Sequence, residues 1–522
     1  MTKILNVNTS DIHTAIKLGC HTMSNVFNAN DNEVPFFGSE VIPNPKLSFS
    51  NIHSESHVPG RHLNALLTAE NVLDIDIDQS AVEKHEAAAA LSYSGHLVFP
   101  LNRENQNEKP INLIEHNFRE GFHALYALAR YRNSEWAMEK IQQSIKDINK
   151  LWDPTQGWDK KTIKQHYKLR FPREHTFITG LARSIGPLVK IFRATGERSA
   201  LDLAKLLASK VVEEFFQSNG AYDRQKFGSH THSTTCVMSS LAQLADLTND
   251  LSLIKRVKKF YDHGLWDIRD EIGWVIENSD PTSPPDRGEC NNTGDILETA
   301  LILGRRGYHE YYQDAERIIR GHLLPSQLRD NSFIKEPENP LNKDGLHEIA
   351  ARHLGAFGFP APYGHYPLDI ERVSFNMDIV GGTVGSLCEA IREGITADSE
   401  GHKINLMFEN KTPELFIKPN TKSGGISIVT KRSIPLWVRI PTWVDTNTLS
   451  VTGVEKHKII GDYVFVKKSH PNKPIKLSYA VPTTKIILRH RTRKIRTELR
   501  GDTVIRMENF GANLTFFDPI DG

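Results

Sequence analysis

The sequence of 522 residues predicts a mainly α-helical domain, built as a toroid of helices, followed by a smaller antiparallel β-sandwich. Two observations lead to this prediction. Apolar residues recur at helical spacing up to about residue 395, and they alternate with a period of two beyond about residue 400. Helices that precede strands without interleaving indicate two domains, which we place at residues 1–398 and 399–522.

Eleven segments of the first part have helical periodicity, and a twelfth fits near 11–27. In one of them Leu181, Ile185, Leu188 and Phe192 follow at steps of four, three and four, which places them on one helix face. No fixed period indicates a regular solenoid. We therefore expect antiparallel helical hairpins, at 60–73, 79–92, 116–131, 134–150, 177–194, 198–216, 233–247, 251–263, 292–306, 309–324 and 379–395.

The C-terminal part consists of short runs rich in Ile, Val, Phe and Tyr, separated by Gly, Pro and Asn. Such runs are typical of strands in a sandwich. They lie at 403–408, 425–430, 436–440, 463–466 and 475–479. Within the helical part, the stretch 327–369 lacks periodicity, and a loop of this length inside a compact domain is often functional.

Composition argues against several classes of protein. With 64 basic and 63 acidic residues the net charge is +1, which gives no general attraction to nucleic acid or to an anionic membrane. No apolar run is long enough to span a bilayer. The cysteines Cys20, Cys236, Cys290 and Cys388 are far apart, so neither a disulfide framework nor a zinc ribbon is predicted. We expect a cytoplasmic protein, or a periplasmic one if a leader was removed.

Five polar segments are candidates for chemistry, because catalytic side chains often lie in loops held by a rigid scaffold. Segment 55–62 offers two imidazoles, a carboxylate and a guanidinium before a helix, and segment 115–120 is similar. Helix capping and surface polarity explain the first equally well, and a solvated first turn, with acids favoured by the helix dipole, explains the second better. In the third segment, His230 and His232 are followed by hydroxyls and could supply a base or bind a metal. No cofactor is predicted, and a metal at His230 and His232 is not excluded.

The fourth segment, 286–295, precedes an amphipathic run. Asn292 or Thr293 could cap that helix, which leaves Asp286, Arg287 and Glu289 unexplained. Cys290 beside Glu289 is either a nucleophile or a buried thiol. The fifth segment, 352–366, carries histidines and tyrosines, and a packed aromatic loop is its alternative interpretation.

Three stretches resemble glycoside hydrolase family 127 and its relatives, the β-L-arabinofuranosidases. They are Glu289–Asp295 leading into a helix, Asp378–Gly385 at the start of a late helix, and Pro435–Trp443 in the sandwich. Their order and spacing match that family over about residues 285–445. The resemblance implies an (α/α)6 toroid followed by a β-sandwich.

The sequence departs from that family where the chemistry lies. The resemblance would imply a zinc-bound cysteine nucleophile, held with a glutamate, a following cysteine and an adjacent cysteine pair. Here Gly381 and Gly382 stand in place of the pair, and the glutamate–cysteine spacing is shorter by one residue. We therefore expect no zinc–thiolate site, and a changed reaction on a retained scaffold.

The candidate loops are rich in His, Tyr and Arg and poor in the paired carboxylates of most glycosidases. Such residues suit β-elimination from a uronic acid, in which a cation neutralises the carboxylate and His or Tyr moves protons. Helical-toroid polysaccharide lyases are similar in general plan, and the stretch 56–62 resembles the oligosaccharide dehydratases of ulvan degradation. We therefore predict an enzyme that acts on the non-reducing end of uronate-containing oligosaccharides.

The predicted proton carriers are His230 or His232, Tyr363 and His365, with Glu289 as a further catalytic candidate. The predicted substrate-binding residues are His57, Arg61, His62, Asn291, Asn292 and Arg287. Two alternatives remain open. One is a glycoside hydrolase that uses carboxylates such as Asp286, Glu289 or Asp295, and the other is a non-catalytic glycan-binding protein.

Overall fold

The computed structural model describes residues 2–420 and 424–520. Its N-terminal part is helical, as predicted. The helices are α1 (Ile12–Met23), α2 (Val58–Leu73), α3 (Gln79–Ser92), α4 (Phe118–Arg132), α5 (Glu135–Leu151), α6 (Lys160–Gln165), α7 (Ile185–Thr195), α8 (Arg198–Glu214), α9 (Arg224–Phe227), α10 (Thr231–Thr248), α11 (Leu251–Asp262), α12 (Cys290–Arg305), α13 (Glu310–Ile318), α14 (Ile349–His353) and α15 (Met377–Gly394).

Six helices form a closed inner ring. The order of contact is α2, α4, α7, α10, α12 and α15, and α15 packs again on α2. Helices α1, α3, α5, α8, α11 and α13 pack outside this ring. The predicted (α/α)6 toroid is therefore confirmed, and the inner helices begin at one mouth and end at the other.

The inner and outer helices begin differently. On the outside, Asp78, Ser134 and Asp250 accept hydrogen bonds from the first-turn amides of α3, α5 and α11. In the ring, the N-cap residues of α2, α10, α12 and α15 make no such side-chain bond. The first-turn amides of these helices therefore face the mouth without a hydrogen bond to the side chain of their own N-cap residue.

The helical part also contains short strands that the apolar pattern did not predict. Each has only two or three residues, too few to show a period of two. They pair as four two-stranded ladders in the loops, β1 with β2, β3 with β4, β5 with β6 and β7 with β8. Their bounds are β1 (Phe27–Asn28), β2 (Val34–Pro35), β3 (Gly38–Glu40), β4 (Lys46–Ser48), β5 (Leu101–Asn102), β6 (Asn112–Leu113), β7 (Trp152–Asp153) and β8 (Gly157–Trp158).

The C-terminal strands begin directly after α15. They are β9 (Ile395–Asp398), β10 (Gly401–Ile404), β11 (Asn410–Lys411), β12 (Leu415–Pro419), β13 (Ile426–Thr430), β14 (Leu436–Arg439), β15 (Ser450–Thr452), β16 (Lys458–Ile460), β17 (Tyr463–Val466), β18 (Ile475–Ser478), β19 (Thr483–Leu488), β20 (Ile495–Arg500) and β21 (Thr503–Met507). Two five-stranded sheets, β16-β17-β14-β10-β9 and β11-β12-β13-β18-β15, share one apolar core and form the predicted sandwich.

Two details of the C-terminal part differ from the expectation. The pair β10–β14 is parallel, whereas the other pairs of the described strands are antiparallel. The strands β19-β20-β21 form a separate sheet whose core includes Ile272, Ala361 and Tyr363 from the helical part. This sheet therefore extends the toroid and does not belong to the sandwich core. No helix among the described residues is long and apolar enough to cross a membrane.

Arg439 of β14 joins the sandwich to the toroid. Its side chain is buried and donates to the carbonyl of Asn405, to Gln313 Oε1 at 3.1 Å and to the carboxylate of Glu316. Gln313 and Glu316 belong to α13 of the outer ring. The strand β14, which lies within the Pro435–Trp443 stretch of the family resemblance, thus has a structural role.

We expect Arg439→Ala to lower the free energy of unfolding by about 3 kcal/mol, because the buried Glu316 carboxylate then keeps only Arg320, at 3.6 Å, as its cation. Chemical denaturation followed by circular dichroism measures this change. Arg432→Ala is the matched control, since Arg432 is 67% exposed and its ion pair with Glu414 should contribute less than about 1 kcal/mol. Equal effects of the two substitutions would contradict the structural role of Arg439.

Candidate active site

One guanidinium connects the first turns of the inner helices. Arg61 of α2 donates to Glu120 Oε1 of α4 at 2.9 Å and to Asn291 Oδ1 of α12 at 3.1 Å. Its Nε lies 3.3 Å from Asp378 Oδ2 of α15, and its Nη2 lies 3.3 Å from His232 Nε2 of α10. All these side chains are buried. The predicted binding residue Arg61 is therefore the centre of a polar cluster on the toroid axis.

Three carboxylates of this cluster are paired with arginine. Glu120 contacts Arg61, Arg119 and Arg183 within 3.3 Å, and Arg119 also contacts Asp295 at 3.2 Å. Burial alone would raise the pKa of Glu120, but the charges of His57 and these arginines hold it well below its usual range.

Asp378, the third of these acids, contacts Arg61 and His57. Burial opposes ionisation of this carboxyl, but the hydrogen bond and charge of His57, together with Arg61, lower its pKa. Glu120 and Asp378 are therefore carboxylates engaged in holding the ring together.

Glu289 is the exception among the acids. Its Oε1 accepts from Asn291 Nδ2 at 3.0 Å and lies 3.5 Å from His232 Nδ1, but no arginine pairs with it among the described residues. Burial raises the pKa of Glu289 to about 8, and the charges of Glu277 and Asp378 add to the effect. This carboxyl is therefore protonated at neutral pH and can donate a proton.

A row of imidazoles leads from the mouth to these acids. Ring centroids are 5.2 Å apart between His53 and His57, 5.6 Å between His57 and His116, 5.3 Å between His116 and His230, and 5.9 Å between His230 and His232. His53, His116 and His230 are half-buried, whereas His57 and His232 are buried. The two buried rings, His57 and His232, are thus the members of the row that contact the acids, and the half-buried rings lie beside them.

Most of these imidazoles are neutral. Burial lowers the pKa of His230 to about 3, and nearby Arg183 contributes. Burial likewise lowers the pKa of His53, His116 and His232 well below the usual range. In His116, Nδ1 donates to the carbonyl of Thr179 at 3.1 Å, which leaves Nε2 with a free lone pair. The row therefore offers bases beside the protonated carboxyl.

The structure brings six of the sequence-predicted residues together, namely His57, Arg61, His230, His232, Glu289 and Asn291. Asn292 lies beside them but fixes the start of α12, because its Nδ2 donates to Thr231 Oγ1 at 2.8 Å. Arg287 pairs with Glu277 and stacks over the ring of Phe359, at 3.7 Å.

His62, Tyr363 and His365 have other surroundings. His62 donates to the carbonyl of Met377 at 2.8 Å and contacts His85, both deep in the helix packing. Tyr363 donates to Asp286 at 2.5 Å and packs with the sheet β19-β20-β21. His365 packs on Phe516 of the C-terminal segment. No polar contact of Tyr363 or His365 in the described structure reaches the imidazole row, so their predicted proton-transfer role has no support from position.

Sequence reasoning missed Glu120, Asp378, Arg119, Arg183, His53 and His116 as parts of the cluster. The polar density of segment 115–120 pointed to three of them. Asp378 lies within a stretch that carried the family resemblance, and His53 lies just before segment 55–62. Nothing in the local pattern singles out Arg183, because its partners are distant in sequence.

The two glycines that replace the family's cysteine pair pack so closely against this cluster that neither position has room for a side chain. A Cβ on Gly382 would collide with Asn291 Oδ1 and Arg61 Nη1, and one on Gly381 would press on the backbone of Arg61. Cys290 is buried, and burial raises the pKa of its thiol to about 12. Arg61 and Asn291 thus fill the space of the missing thiols, and Cys290 is not poised as a nucleophile.

Three groups of the site are close enough to hold a metal ion. One ligand atom each of His230, His232 and Glu289 lies within 4.8 Å of the others. Guanidinium nitrogens of Arg61 and Arg183, however, lie 3.3 and 3.4 Å from the two nitrogens of His232. A divalent cation here would face two fixed positive charges, so a shared proton suits the site better.

Several solved structures share this architecture, although no protein-family model matches the chain and no curated protein is similar in sequence. A glycoside hydrolase family 127 β-L-arabinofuranosidase from Geobacillus stearothermophilus T6 aligns with a TM-score of 0.59 and 14% identity, over 94% of this chain and 80% of that chain. A second β-arabinofuranosidase of that family aligns with a TM-score of 0.58 and 13% identity, over 94% of this chain and 79% of that chain. The chain has the fold of these enzymes. A sugar epimerase from a ruminal bacterium aligns with a TM-score of 0.51 and 11% identity, over 73% of this chain and 99% of that chain. The resemblance in fold expected from the three motifs is therefore confirmed.

We expect Gly382→Ala to destabilise the protein by about 1–3 kcal/mol, because the added methyl overpacks the contact with Arg61 and Asn291. Gly385→Ala on the same helix is the control, since its Cβ would meet only Asn64 Nδ2 at 3.7 Å. Alanine there should stabilise α15 by up to about 1 kcal/mol. Urea unfolding of both variants measures the difference, and similar effects at the two positions would argue against the tight contact.

Proposed function

We propose that the protein is a glycan-processing enzyme that catalyses β-elimination from a uronic acid at the end of an oligosaccharide. The observation that carries the proposal is the row of neutral imidazoles beside the protonated Glu289, in a cluster whose other carboxylates are paired with arginine. The fold supports a sugar substrate, because the similar structures are described as two arabinofuranosidases and a sugar epimerase.

The proposed step moves two protons. His230, half-buried at the mouth, takes the proton from C5 of the uronate, and the C–H electrons form the C4–C5 double bond. The bond from C4 to oxygen breaks, and Glu289 donates its proton to the departing oxygen. The leaving group is water in a dehydratase and a sugar in a lyase. Because His230 ends protonated and Glu289 ionised, a proton returns between them before the next cycle, and His232 lies between the two groups.

An anionic substrate fits the charge distribution at the mouth. The starts of α2, α10, α12 and α15 present their positive dipole ends without side-chain caps. Five cations of the neighbouring segment carry no ion pair within the described structure, namely Lys161, Lys164, Lys168, Arg170 and Arg173. Arg173 is close enough to His53 to contribute to its lowered pKa, after burial. A uronate carboxylate would be neutralised here, which makes its α-proton more acidic.

A carboxylate-based hydrolase fits the geometry less well. Glycosidases of the usual kind need two carboxyl groups facing the scissile bond, one ionised and one protonated. Glu289 can serve as the acid, but Asp378, Glu120 and Asp295 are bound to arginines. The second carboxylate would have to leave its ion pair before it could act, at the cost of a buried unpaired charge.

The decisive experiment incubates the protein with oligosaccharides that end in a uronic acid and analyses the products by mass spectrometry. Elimination of water gives a product lighter by one water, and elimination of a sugar gives cleavage without a gain of water. Both products absorb in the far ultraviolet through the new double bond. Cleavage with a gain of one water and no such absorbance would show hydrolysis instead. If none of the oligosaccharides changes, a non-catalytic glycan-binding protein is favoured.

We expect Glu289→Gln to lower kcat by about 10²–10⁴-fold, since it removes the general acid. In the wild type, activity should fall as pH rises through about 8, because Glu289 then loses its proton. The remaining activity of Glu289→Gln should not show this fall at alkaline pH, which we call the alkaline limb. His230→Ala should lower kcat by a similar factor. Steady-state rates over pH 5–10 measure these effects.

Asp270→Asn is the matched control for this prediction. Asp270 is also buried, and burial raises its pKa to about 8, but it binds the backbone amides of Ile272 and Trp274 away from the imidazole row. The control should keep the wild-type alkaline limb. If the fall in activity at alkaline pH persists in Glu289→Gln, or is lost in Asp270→Asn, Glu289 is not the catalytic acid.

A further inference from the structure

A second cavity opens at the end of the toroid opposite the candidate active site. Its volume is about 390 Å³, within the range of small-molecule pockets. It is lined by the later turns of the same six inner helices whose first turns form the active site. One residue from each is Asn71, Arg130, Lys190, Gln243, Arg305 and Glu393.

Positive charge exceeds negative charge in this distal cavity. Five cations and three acids line it, in a chain whose net charge is only +1. Glu389 pairs with Arg392 at 2.7 Å, and Glu393 pairs with Arg305. Lys190 and Arg130 have no acid partner among the described residues. Glu298, the third acid of the lining, has no cation partner in that part of the chain either, so Lys190 and Arg130 together exceed it by one positive charge.

Helix dipoles account for some of these cations but not for Lys190. Arg130, Arg193, Arg305 and Arg392 lie in the last turns of their helices, where cations offset the negative end of the dipole. Lys190 lies in the middle of α7 (Ile185–Thr195) and is half-buried. Its ammonium group lines the cavity without an acid partner in the described structure, so it is available to an anion that enters the cavity.

Lys190 also lines a narrow axial cavity of about 30 Å³ between the distal cavity and the active-site cluster. The floor of the cluster, Arg61, Asn291 and Asp295, forms its other end. His123 lines the same space, is 6% exposed, and has no hydrogen-bond partner for Nδ1 in the described structure. A polar cavity of this size holds water, so a ligand at Lys190 would be in hydrogen-bonded contact with the axis.

We propose that the distal cavity binds a small anionic ligand, held through a carboxylate or a tetrahedral oxyanion by Lys190 and Arg130. The rings of Tyr126 and Tyr131 form one wall, and the Tyr131 hydroxyl accepts from Arg392 at 2.8 Å. An anionic monosaccharide or an inorganic oxyanion fits this size and charge. The proposal is independent of the elimination reaction, because the cavity lies at the other mouth.

Isothermal titration calorimetry at constant ionic strength, with chloride as the background anion, tests the proposal. Inorganic sulfate and glucuronate are the two probes. We expect saturable binding of at least one, weakened tenfold or more by Lys190→Met and by Arg130→Gln. Lys255→Met, which removes an exposed cation of the outer helix α11, should bind like the wild type.

The outcomes separate the ligand sources. Binding of sulfate alone indicates an oxyanion site, and binding of glucuronate alone or of both indicates a site for a sugar acid or for anions in general. Arg130 is exposed, so Arg130→Gln should fold normally and gives a result even if Lys190→Met does not fold. Absence of saturable binding, or binding that neither substitution weakens, overturns the proposal. Because Arg130 lines the distal cavity and does not contact the active-site cluster, weaker binding by Arg130→Gln distinguishes this site from the active site whatever the enzyme's reaction.

Discussion

The buried guanidinium of Arg61 is the interaction on which the rest of the structure depends. It contacts polar groups on α4, α10, α12 and α15 from its own place on α2. A charge this deeply buried is tolerated only when its partners are in place, and removing one partner of such a network costs about 3–5 kcal/mol. The same contacts of Arg61 therefore close the helical ring and hold the side chains of the site in place.

The same constraint divides the acids into two classes. Arginines hold Glu120 and Asp378 as carboxylates, and Glu289, which has no arginine, keeps its proton. Groups whose environments push their pKa values apart are the pairs from which acid–base chemistry is built. Here the ionised acids are bound to arginines, and the proposed reaction therefore takes its base from the neutral imidazoles. The glycines Gly381 and Gly382 belong to this arrangement, since Arg61 and Asn291 need the space that thiols would occupy.

The fold could be predicted because helical and strand periodicities are local signals of burial. The site could be predicted in part, because polar residues concentrated at helix starts pointed to His57, Arg61, His230, His232, Glu289 and Asn291. The pairing itself could not, since Arg61 finds its partners 59 and 230 positions away along the chain. Tyr363 and His365 entered the prediction through residue type alone, and their aromatic loop is used to dock the sheet β19-β20-β21.

The direction of the inner helices makes the two mouths electrostatically different. At the active-site mouth the positive dipole ends add to the formal charges of Arg61, Arg119 and Arg183, and burial together with these arginines keeps the imidazoles neutral. At the distal mouth the dipoles are reversed, and an anion would meet the negative ends of six helices. Formal cations must offset these ends before any anion can bind, which explains the four arginines that line that cavity, and Lys190 adds positive charge beyond them. Because formal charges near solvent are screened by salt, binding at the distal mouth should weaken more steeply with ionic strength than binding at the dipoles of the active-site mouth.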